Sequence, residues 1–553
     1  MTNYLQTEYR RWMASPALTP DERDELGALT PDSVEAGFSS PLRFGTAGIR
    51  GTMGPGPGRL NARTVAWATH AVGLWLLKCG AAGQGVCIGF DGRRSSGDFA
   101  RLTAEVLAGL KIPVFFIGRS RPTPLLSYAV RARRTAAGIC ITASHNPPAY
   151  NGYKVYRSGG AQIADGDADA IAALMAEIDP LDAVPRADFD AAVQSGLIVT
   201  AEPNLEQDFL SSALRCISGW GDITRCPDLP IVYTPFHGVG GSLAPEGLRR
   251  AGLTQIYCVA RQMEPDGDFP TTPNPNPEDP SGFALALELA EKVRAALILA
   301  NDPDADRVAV WARDSCGVLR PLTGNQVGVL LTDALLSPGG TLLKTIVTTD
   351  MAAKVARARG GEAAETFTGF KYLSAAAERL TALGRPVPLA FEEAIGYRLN
   401  PDVPDKDGIS AALAVASLAC RMHARGLTLH DRYDELGREV GFHAERTVSI
   451  TLPGTQGRAV IDGCMASLRA RPPVSVAGRR VANAEDFLSA ALDGHHSDVL
   501  RYTLDDGCRV IVRPSGTEPK IKLYALARGS TARHARERAE SCARCAGQIL
   551  RLE

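Results

Sequence analysis

The densest potential chemistry lies in NDPDADRVAVW, residues 301–311, where Asp302, Asp304 and Asp306 occupy alternate positions. The stretch is framed by two apolar runs, ALILA (296–300) and VAVW (308–311). Carboxylates packed so closely repel one another unless a cation neutralises them. A hard divalent cation with oxygen ligands meets that need, and three protein carboxylates leave room for an anionic further ligand such as a phosphate oxygen. The spacing invites an EF-hand reading, but Arg307 stands where that loop needs glycine and Arg313 where it needs glutamate. A solvated acidic turn is the plainer alternative. The flanking buried strands and the following arginine favour the metal.

Three other stretches suit anions or sugars. In RPSGTEPKIKLY (513–524), Arg513 ends an apolar run, and Ser515, Gly516 and Thr517 supply hydroxyls and backbone N–H groups in a tight turn. Such a turn forms an anion-binding concavity beside a bidentate arginine, although an ordinary hairpin would read the same way. In FEEAIGYR (391–398), Glu392 and Glu393 point to opposite faces of an extended segment, and an inward carboxylate suits sugar hydroxyls. A surface acidic pair is the rival reading. In RFGTAGIRG (43–51), glycines surround Thr46 and Arg50, so backbone can approach a ligand closely and Arg50 can meet a phosphate. HGVGGSL (237–243) resembles a dinucleotide fingerprint but has Leu243 at the third glycine position.

The fifth stretch is GICITASHNPPAYNGYK, 138–154. An apolar run stops at Ser144 and His145, and Pro147 and Pro148 block a helix. This reads as a hydroxyl held rigidly at an exposed loop tip. The glycines of a hydrolase elbow are missing, with Thr142 and Asn146 in their places. A Ser-His-Asp triad is disfavoured, because adjacent side chains on an extended segment point apart.

These loops need a scaffold. Strand-like runs VCIGF (86–90), VFFIG (114–118), GICIT (138–142), IVYTP (231–235) and ALILA alternate with amphipathic helical patterns such as 61–79, opened by Asn61 and closed by Gly80. That alternation predicts α/β architecture with largely buried sheets. The last segment differs: VLRYTL (499–504), CRVIVR (508–513) and KIKLYAL (520–526) precede one long helical run from Thr531, which predicts a smaller antiparallel α+β unit. Residues 453–490 carry no clear pattern. The 553 residues exceed what one core supports, and boundaries are expected near 203, 319 and 435, giving units 1–203, 204–319, 320–435 and 436–553. Lys+Arg number 60 and Asp+Glu 61, which gives no electrostatic case for nucleic acid or an anionic membrane surface. No apolar run is long enough for a membrane span, and the N-terminus has no signal core. Twelve cysteines are scattered singly, mostly in apolar runs, with one C-x-x-C at Cys542–Cys545 that has no second pair. A reducing cytoplasm is the expected location.

Taken together, these motifs resemble those of the phosphohexomutases, the α-D-phosphosugar mutases. The family's serine loop T-A-S-H-N-P is matched by Thr142–Pro147, its metal loop D-x-D-x-D-R by Asp302–Arg307, its Glu-bearing sugar loop in part by Glu392–Gly396, and its phosphate loop R-x-S-G-T-E-P by Arg513–Pro519. With FGTAGIRG they occur in order from residue 44 to 519. The resemblance implies four domains around a central cleft, three related α/β units and a smaller C-terminal α+β unit. It implies that Ser144 is carried as phosphoserine, and that one Mg²⁺ is held by Asp302, Asp304, Asp306 and a Ser144 phosphoryl oxygen.

The implied reaction is phosphoryl transfer on sugar phosphates through a sugar bisphosphate, glucose 1-phosphate to glucose 6-phosphate first among them, with a sugar 1,6-bisphosphate as activator. Pentose and mannose phosphates are the rival substrates, and a metal-dependent phosphatase or a non-catalytic sugar-phosphate binder are the rival classes. Lys154 resembles the general acid/base, with a pKa expected to fall towards neutral near arginine and metal charge. His145, Arg50, Thr46 and Arg307 would line the same site. Thr368, Gly369 and Lys371 resemble the specificity loop, Glu392 the hydroxyl acceptor, and Lys406 a phosphate contact, while Arg513, Ser515, Gly516 and Thr517 would grip the unreacting phosphate. Ala394 stands where well-known members carry serine, and FEEAIGY looks most like the branch of phosphopentomutases and glucose-1,6-bisphosphate synthases. A monomer or weak homo-oligomer is expected.

Overall fold

The computed structural model describes residues 3–45, 48–200, 204–220, 223, 226–452, 457–515 and 519–550. The chain forms two compact units: Met1–Ala312 with Gly396–Ala424, and Arg313–Ile395 with Arg425–Glu553. Among the described residues no helix is long and apolar enough to cross a membrane, and the twelve cysteines are free.

The first unit holds two sheets. Strands Gly48–Thr52 (β1), Val86–Phe90 (β2), Val114–Phe116 (β3), Ala137–Ile141 (β4), Tyr150–Arg157 (β5) and Ile198–Thr200 (β6) pair in the order β1-β5-β4-β2-β3-β6. The β4-β2-β3-β6 portion is parallel, and β5 and β1 add antiparallel edges. The helix expected after Asn61 runs Ala62–Lys78, with Asn61 Oδ1 accepting from Thr64 N–H at 3.0 Å. Its apolar face and that of the helix Ser96–Gly109 close one core with Val86, Ile88, Ile139, Ile141 and Val155. Before this sheet, short helices between Asn3 and Phe38 enclose a satellite cluster around Trp12 and Phe38.

In the second sheet of this unit Ile231–Thr234 (β7) and Ile256–Cys258 (β8) run parallel, as do β7 and Leu297–Asn301 (β9). Val308–Arg313 (β10) returns antiparallel to β9, with Val308 opposite Asn301. The aspartate loop is therefore a hairpin turn between two buried strands. The discounted HGVGGSL segment buttresses it: the Val239 N–H donates to the Pro303 carbonyl at 2.9 Å.

In the second unit Leu319–Leu322 (β11) precedes a parallel set in which Thr341–Thr345 (β12) lies between Glu362–Thr366 (β13) and Leu389–Glu392 (β14). Gly396–Arg398 (β15) returns the chain to the first unit. The C-terminal sheet is antiparallel throughout: Phe442–Thr451 (β16), Ser475–Val476 (β17), Arg479–Asp486 (β18), Leu500–Leu504 (β19), Arg509–Pro514 (β20) and Lys520–Gly529 (β21) pair in the order β16-β21-β20-β19-β18-β17. The expected C-terminal helix follows at Ala532–Arg544, capped by Thr531; of the C-x-x-C, Cys542 is buried in the core and Cys545 follows as the C-cap residue. The patternless stretch contains the helix Gly457–Ala470 and β17–β18, whose exposed positions carry mixed charge and so mask the period.

One capping residue in the first unit has a measurable consequence. Asp407 caps the buried helix Gly408–His423, with Oδ1 accepting from Ile409 and Ser410 N–H at 2.9 and 3.1 Å. Its Oδ2 is buried without a hydrogen-bond partner among the described residues, and burial lifts its pKa from 3.8 to about 6. A carboxyl whose folded pKa is raised contributes stability below its unfolded value and loses it as pH rises through the folded one. Asp407→Asn keeps the cap without the charge. It is expected to stabilise the chain by at most about 3 kcal/mol at pH 8, with the gain vanishing below pH 4. Thermal unfolding across this range checks the sign.

Candidate active site

Hairpin β9–β10 lifts three carboxylates into one buried cluster. Asp302, Asp304 and Asp306 are each at most 1% exposed, and each offers an oxygen within 4.8 Å of the others'. Backbone bonds shape the turn: Ala305 N–H donates to the Asp302 carbonyl at 2.8 Å, Arg307 N–H to Asp302 Oδ1 at 3.0 Å, and Asn301 Nδ2 to the Arg307 carbonyl at 2.6 Å. Gly408 is required beside it, because a Cβ there would lie 2.4 Å from the Arg307 carbonyl oxygen.

Cations converge on this cluster from distant positions in the chain. Lys154 on β5 places Nζ 2.7 Å from Asp304 Oδ2 and 3.2 Å from Asp306 Oδ2. Lys406 Nζ lies 3.3 Å from Asp306 Oδ2, and Arg307 Nε 3.6 Å from Asp306 Oδ1. Thr123 adds a hydroxyl donor to Asp304 Oδ2 at 2.9 Å. Burial opposes charge on all three aspartates. Lys154 nonetheless holds Asp304 below the ordinary carboxylate range, and Lys406 with Lys154 holds Asp306 down. Asp302 is pushed well above that range by burial and by the two neighbouring carboxylates.

The serine loop meets the cluster at Asp302. Ser144 Oγ donates to Asp302 Oδ2 at 2.9 Å and lies 3.3 Å from His145 Nδ1. Ser144 is not at an exposed tip: it is 2% exposed, held beneath the cluster in a left-handed turn with φ 53°. The same turn overturns the expectation that the two side chains point apart, since the backbone at Ser144 is not extended. Burial, then Arg307 and Arg50, push the His145 imidazole well below its ordinary pKa, so it is neutral. Arg50 donates to Asn146 Oδ1 at 3.0 Å from β1, whose Gly48 stands opposite Lys154. Gly48 (φ 127°) admits no side chain, since a Cβ would lie 1.9 Å from the Tyr153 carbonyl oxygen.

Lys154 corrects a second expectation. Burial pulls its pKa down, but Asp304 and Asp306 outweigh burial and raise it above the ordinary lysine value. The ammonium is the cluster's nearest counter-charge.

Arg93 is the main residue that motif reading missed. Nearly buried, it donates from Nη1 to the carbonyls of Pro147 and Tyr150 at 3.0 and 3.1 Å and from Nη2 to those of Ser144 and Asn146, the former at 2.6 Å. Its Nε lies 3.3 Å from the buried Asp91. One guanidinium thus ties together the loop that the two prolines keep from becoming a helix. The signal in the sequence, DGRRSS at 91–96, gave no indication of which arginine turned inward. Thr123 was missed for a similar reason, since it reaches Asp304 across 181 residues of chain.

The second unit carries the remaining candidates. Gly369 N–H donates to Glu392 Oε1 at 2.7 Å, and Glu393 Oε2 accepts from Thr345 and Thr348 at 3.3 Å. The two glutamates therefore both have protein partners, rather than dividing between core and solvent. Thr368 precedes Gly369, and Lys371 lies 4.8 Å over the Tyr372 ring. Arg513 hydrogen-bonds Tyr524, whose phenol is raised by burial and then by Glu393 and Glu392. Ser515 N–H donates to the Lys520 carbonyl at 2.7 Å. Thr46, Gly516 and Thr517 lie outside the described residues.

A cation fits the aspartate cluster on its own terms: Oδ1 of Asp304 and of Asp306 is buried and accepts no hydrogen bond among the described residues. A serine hydroxyl, an acidic triad and a ring of cations on a multidomain α/β scaffold form the kind of centre that moves phosphoryl groups. Comparison with known proteins gives the family. Residues 41–182, 208–317 and 323–439 match the three alpha/beta/alpha domains of phosphoglucomutase/phosphomannomutase, and 475–543 match its C-terminal domain. A Haemophilus influenzae protein named "Probable phosphomannomutase" is 39% identical over 452 residues, 80% of this chain and 88% of that one. A Staphylococcus aureus phosphoglucomutase is 35% identical over 506 residues, 88% of this chain and 90% of that one. The crystal structure of a phosphoglucomutase/phosphomannomutase family protein from Burkholderia thailandensis shares the fold, with a TM-score of 0.70 at 20% identity over 92% of this chain and 97% of that one. The chain belongs to the phosphoglucomutase/phosphomannomutase family, with its four-domain α/β fold. It is a phosphosugar mutase acting on small sugar phosphates.

Removing Arg93 separates loop geometry from stability. Arg93→Ala leaves Asp91 buried without its partner, which costs about 3–5 kcal/mol. Asp91→Asn combined with Arg93→Ala is expected to recover much of that stability and none of the mutase turnover, because the four loop carbonyls still lack their donor. Thermal unfolding and turnover of both variants read this out. Recovered turnover in the double variant would show that Arg93 does not position Ser144.

Proposed function

We propose that this chain interconverts glucose 1-phosphate and glucose 6-phosphate through a phosphoserine at Ser144 and a bisphosphorylated sugar. The observation that carries the reading is the buried contact of Ser144 Oγ with Asp302 Oδ2 at 2.9 Å, inside a cluster edged by Lys154. A buried serine hydroxyl against three carboxylates is a poor arrangement for packing alone. It suits a group that carries phosphate when charge is supplied to hold it. Asp302, Asp304 and Asp306 would hold one Mg²⁺, which when bound offsets phosphoryl charge.

The sugar hydroxyl oxygen attacks phosphorus, the Oγ–P bond of Ser144 breaks, and Oγ gains a proton as the hydroxyl loses one. The ammonium of Lys154, the form that Asp304 and Asp306 favour, would give its proton to Oγ as the bond breaks, and the amine left behind would take up the proton lost by the sugar hydroxyl. His145, neutral beside Oγ, would orient it, and Arg50, Arg307 and Lys406 would balance the phosphoryl oxygens. The bisphosphate then presents its second phosphate to Ser144, which regains its phosphoryl group. A sugar 1,6-bisphosphate would accordingly activate unphosphorylated enzyme. Glu392, with Thr368, Gly369 and Lys371, would select the sugar, Arg513, Ser515, Gly516 and Thr517 would take the unreacting phosphate, and Thr46 would stay with Arg50 at the serine site.

Glucose is placed first because the Staphylococcus aureus relatives, matching 88% of the chain, are named phosphoglucomutase. Mannose phosphates are the second reading, favoured by the name of the Haemophilus influenzae relative.

Ser144→Ala is expected to lose turnover by at least about a thousandfold, since a nucleophile has no substitute in such a mechanism. Intact mass of the wild type should include a species about one phosphate heavier, and the variant should never show it. Retained turnover in Ser144→Ala would end the phosphoserine reading.

A further inference from the structure

The second unit contains a cavity of about 690 Å³ that the mutase reaction does not use. It lies between the segment β12–β13, with the intervening helix Asp350–Ala358, and the C-terminal sheet. Its lining includes the start of β20 and the end of β21, where Arg509 stands opposite Leu526. The Arg513 loop lies at the other ends of those strands, where Pro514 stands opposite Ile521. Four residues of strand separate Arg509 from Arg513, roughly 14 Å along the sheet.

The inner wall is charge-balanced. Lys344, 1% exposed, lies 2.7 Å from Glu365 and 3.3 Å from Asp350. Arg509 meets Asp350 at 2.7 Å and Glu365 at 3.1 Å. Arg501 meets Glu365 at 3.0 Å and Glu485 at 2.7 Å. Three cations thus face three carboxylates, and little net attraction for a charged ligand remains there.

The mouth is different. Lys354 and Arg357 stand three apart on one helix, Arg528 is the last residue but one of β21, and all three line the cavity. Among the described residues none of the three pairs with a carboxylate. Arg357 has no hydrogen-bond or ion-pair partner, Lys354 reaches only the Val440 carbonyl at 3.4 Å, and Arg528 the Asp506 carbonyl at 2.7 Å. Like charges at this helical spacing repel, and a fold that gathers three with no carboxylate in contact with any of them retains an unmet electrostatic demand. Burial and then the Arg528 charge, with a smaller push from Arg357, lower the Lys354 pKa against the opposing pull of Asp350. Lys354 and Arg528 also line a second cavity of about 400 Å³.

Size and lining narrow the occupant. The volume falls in the range that holds a small organic ligand. The walls are mostly charged or amide and hydroxyl groups, including Asn483 and Thr503, with few apolar side chains. That excludes a lipid tail and suits phosphate at the mouth with hydroxyls further in. We infer that this cavity binds a phosphorylated, hydroxyl-bearing small molecule, its phosphate held by Lys354, Arg357 and Arg528, at a site separate from the mutase centre.

The test uses calorimetric titration of the full chain with inorganic phosphate, ribose 5-phosphate and ATP, comparing wild type with Lys354→Gln/Arg357→Gln/Arg528→Gln. The wild type should bind ribose 5-phosphate or ATP at one site more per chain than the triple variant. That event should weaken by at least about a hundredfold on losing three charge-assisted contacts. The variant's kcat/KM on sugar phosphate should stay within about twofold. Arg357→Gln alone, at an exposed and partnerless position, should weaken the same event about tenfold and guards against misfolding of the triple variant. Equal stoichiometry and affinity in wild type and both variants would overturn the inference. So would binding of inorganic phosphate alone at this mouth with neither organic phosphate taken up, which would make it a bare anion site.

Discussion

Three carboxylates within one hairpin turn, all buried, impose the constraint that the catalytic half of the molecule answers. Left alone, Asp302, Asp304 and Asp306 would protonate or open the turn. Instead Lys154 arrives from the serine-loop sheet, Lys406 from the segment before helix Gly408–His423, and Thr123 from the first turn of helix Thr123–Arg133. Each partner is separated from the cluster by roughly a hundred residues of chain or more, so forming the cluster requires the first unit's sheets to have docked. Catalytic geometry and tertiary structure are the same set of contacts here.

The serine loop inherits this arrangement. Pro147 and Pro148 forbid a helix, Arg93 collects the carbonyls that a helix would have satisfied, and Ser144 is left in a left-handed turn facing Asp302. The proposed reaction's demand for a hydroxyl in a dry, charged setting would thereby be met by backbone bonding rather than by exposure. In the second unit the logic is milder: Glu392 and Glu393 are steadied by Gly369, Thr345 and Thr348, and Arg513 by Tyr524.

Much of this was legible because the decisive residues are contiguous. Asp302–Arg307 and Thr142–Pro147 each carry their chemistry within six positions, and strand runs such as VCIGF coincide with β2 to the residue. What could not be read depended on partners distant in sequence. Exposure of Ser144 was inferred from its place after an apolar run, yet the loop folds under the aspartate hairpin, and no local pattern encodes that. The expected depression of Lys154 counted on arginine and metal charge, whereas the protein charges nearest to it are Asp304 and Asp306. The same limit hides the cavity in the second unit: Lys354 and Arg357 look like an ordinary solvated helix face until Arg528 is brought beside them.

The account rests on Ser144 handing its phosphoryl group to sugar rather than to water. The most direct measurement loads the enzyme with ³²P from a labelled sugar 1,6-bisphosphate, removes free label, and mixes it with unlabelled glucose 1-phosphate in Mg²⁺. The label should leave the protein within a turnover and appear in glucose bisphosphate and glucose 6-phosphate, with little inorganic phosphate. Label that never attaches to Ser144, or that leaves chiefly as inorganic phosphate, would contradict the account.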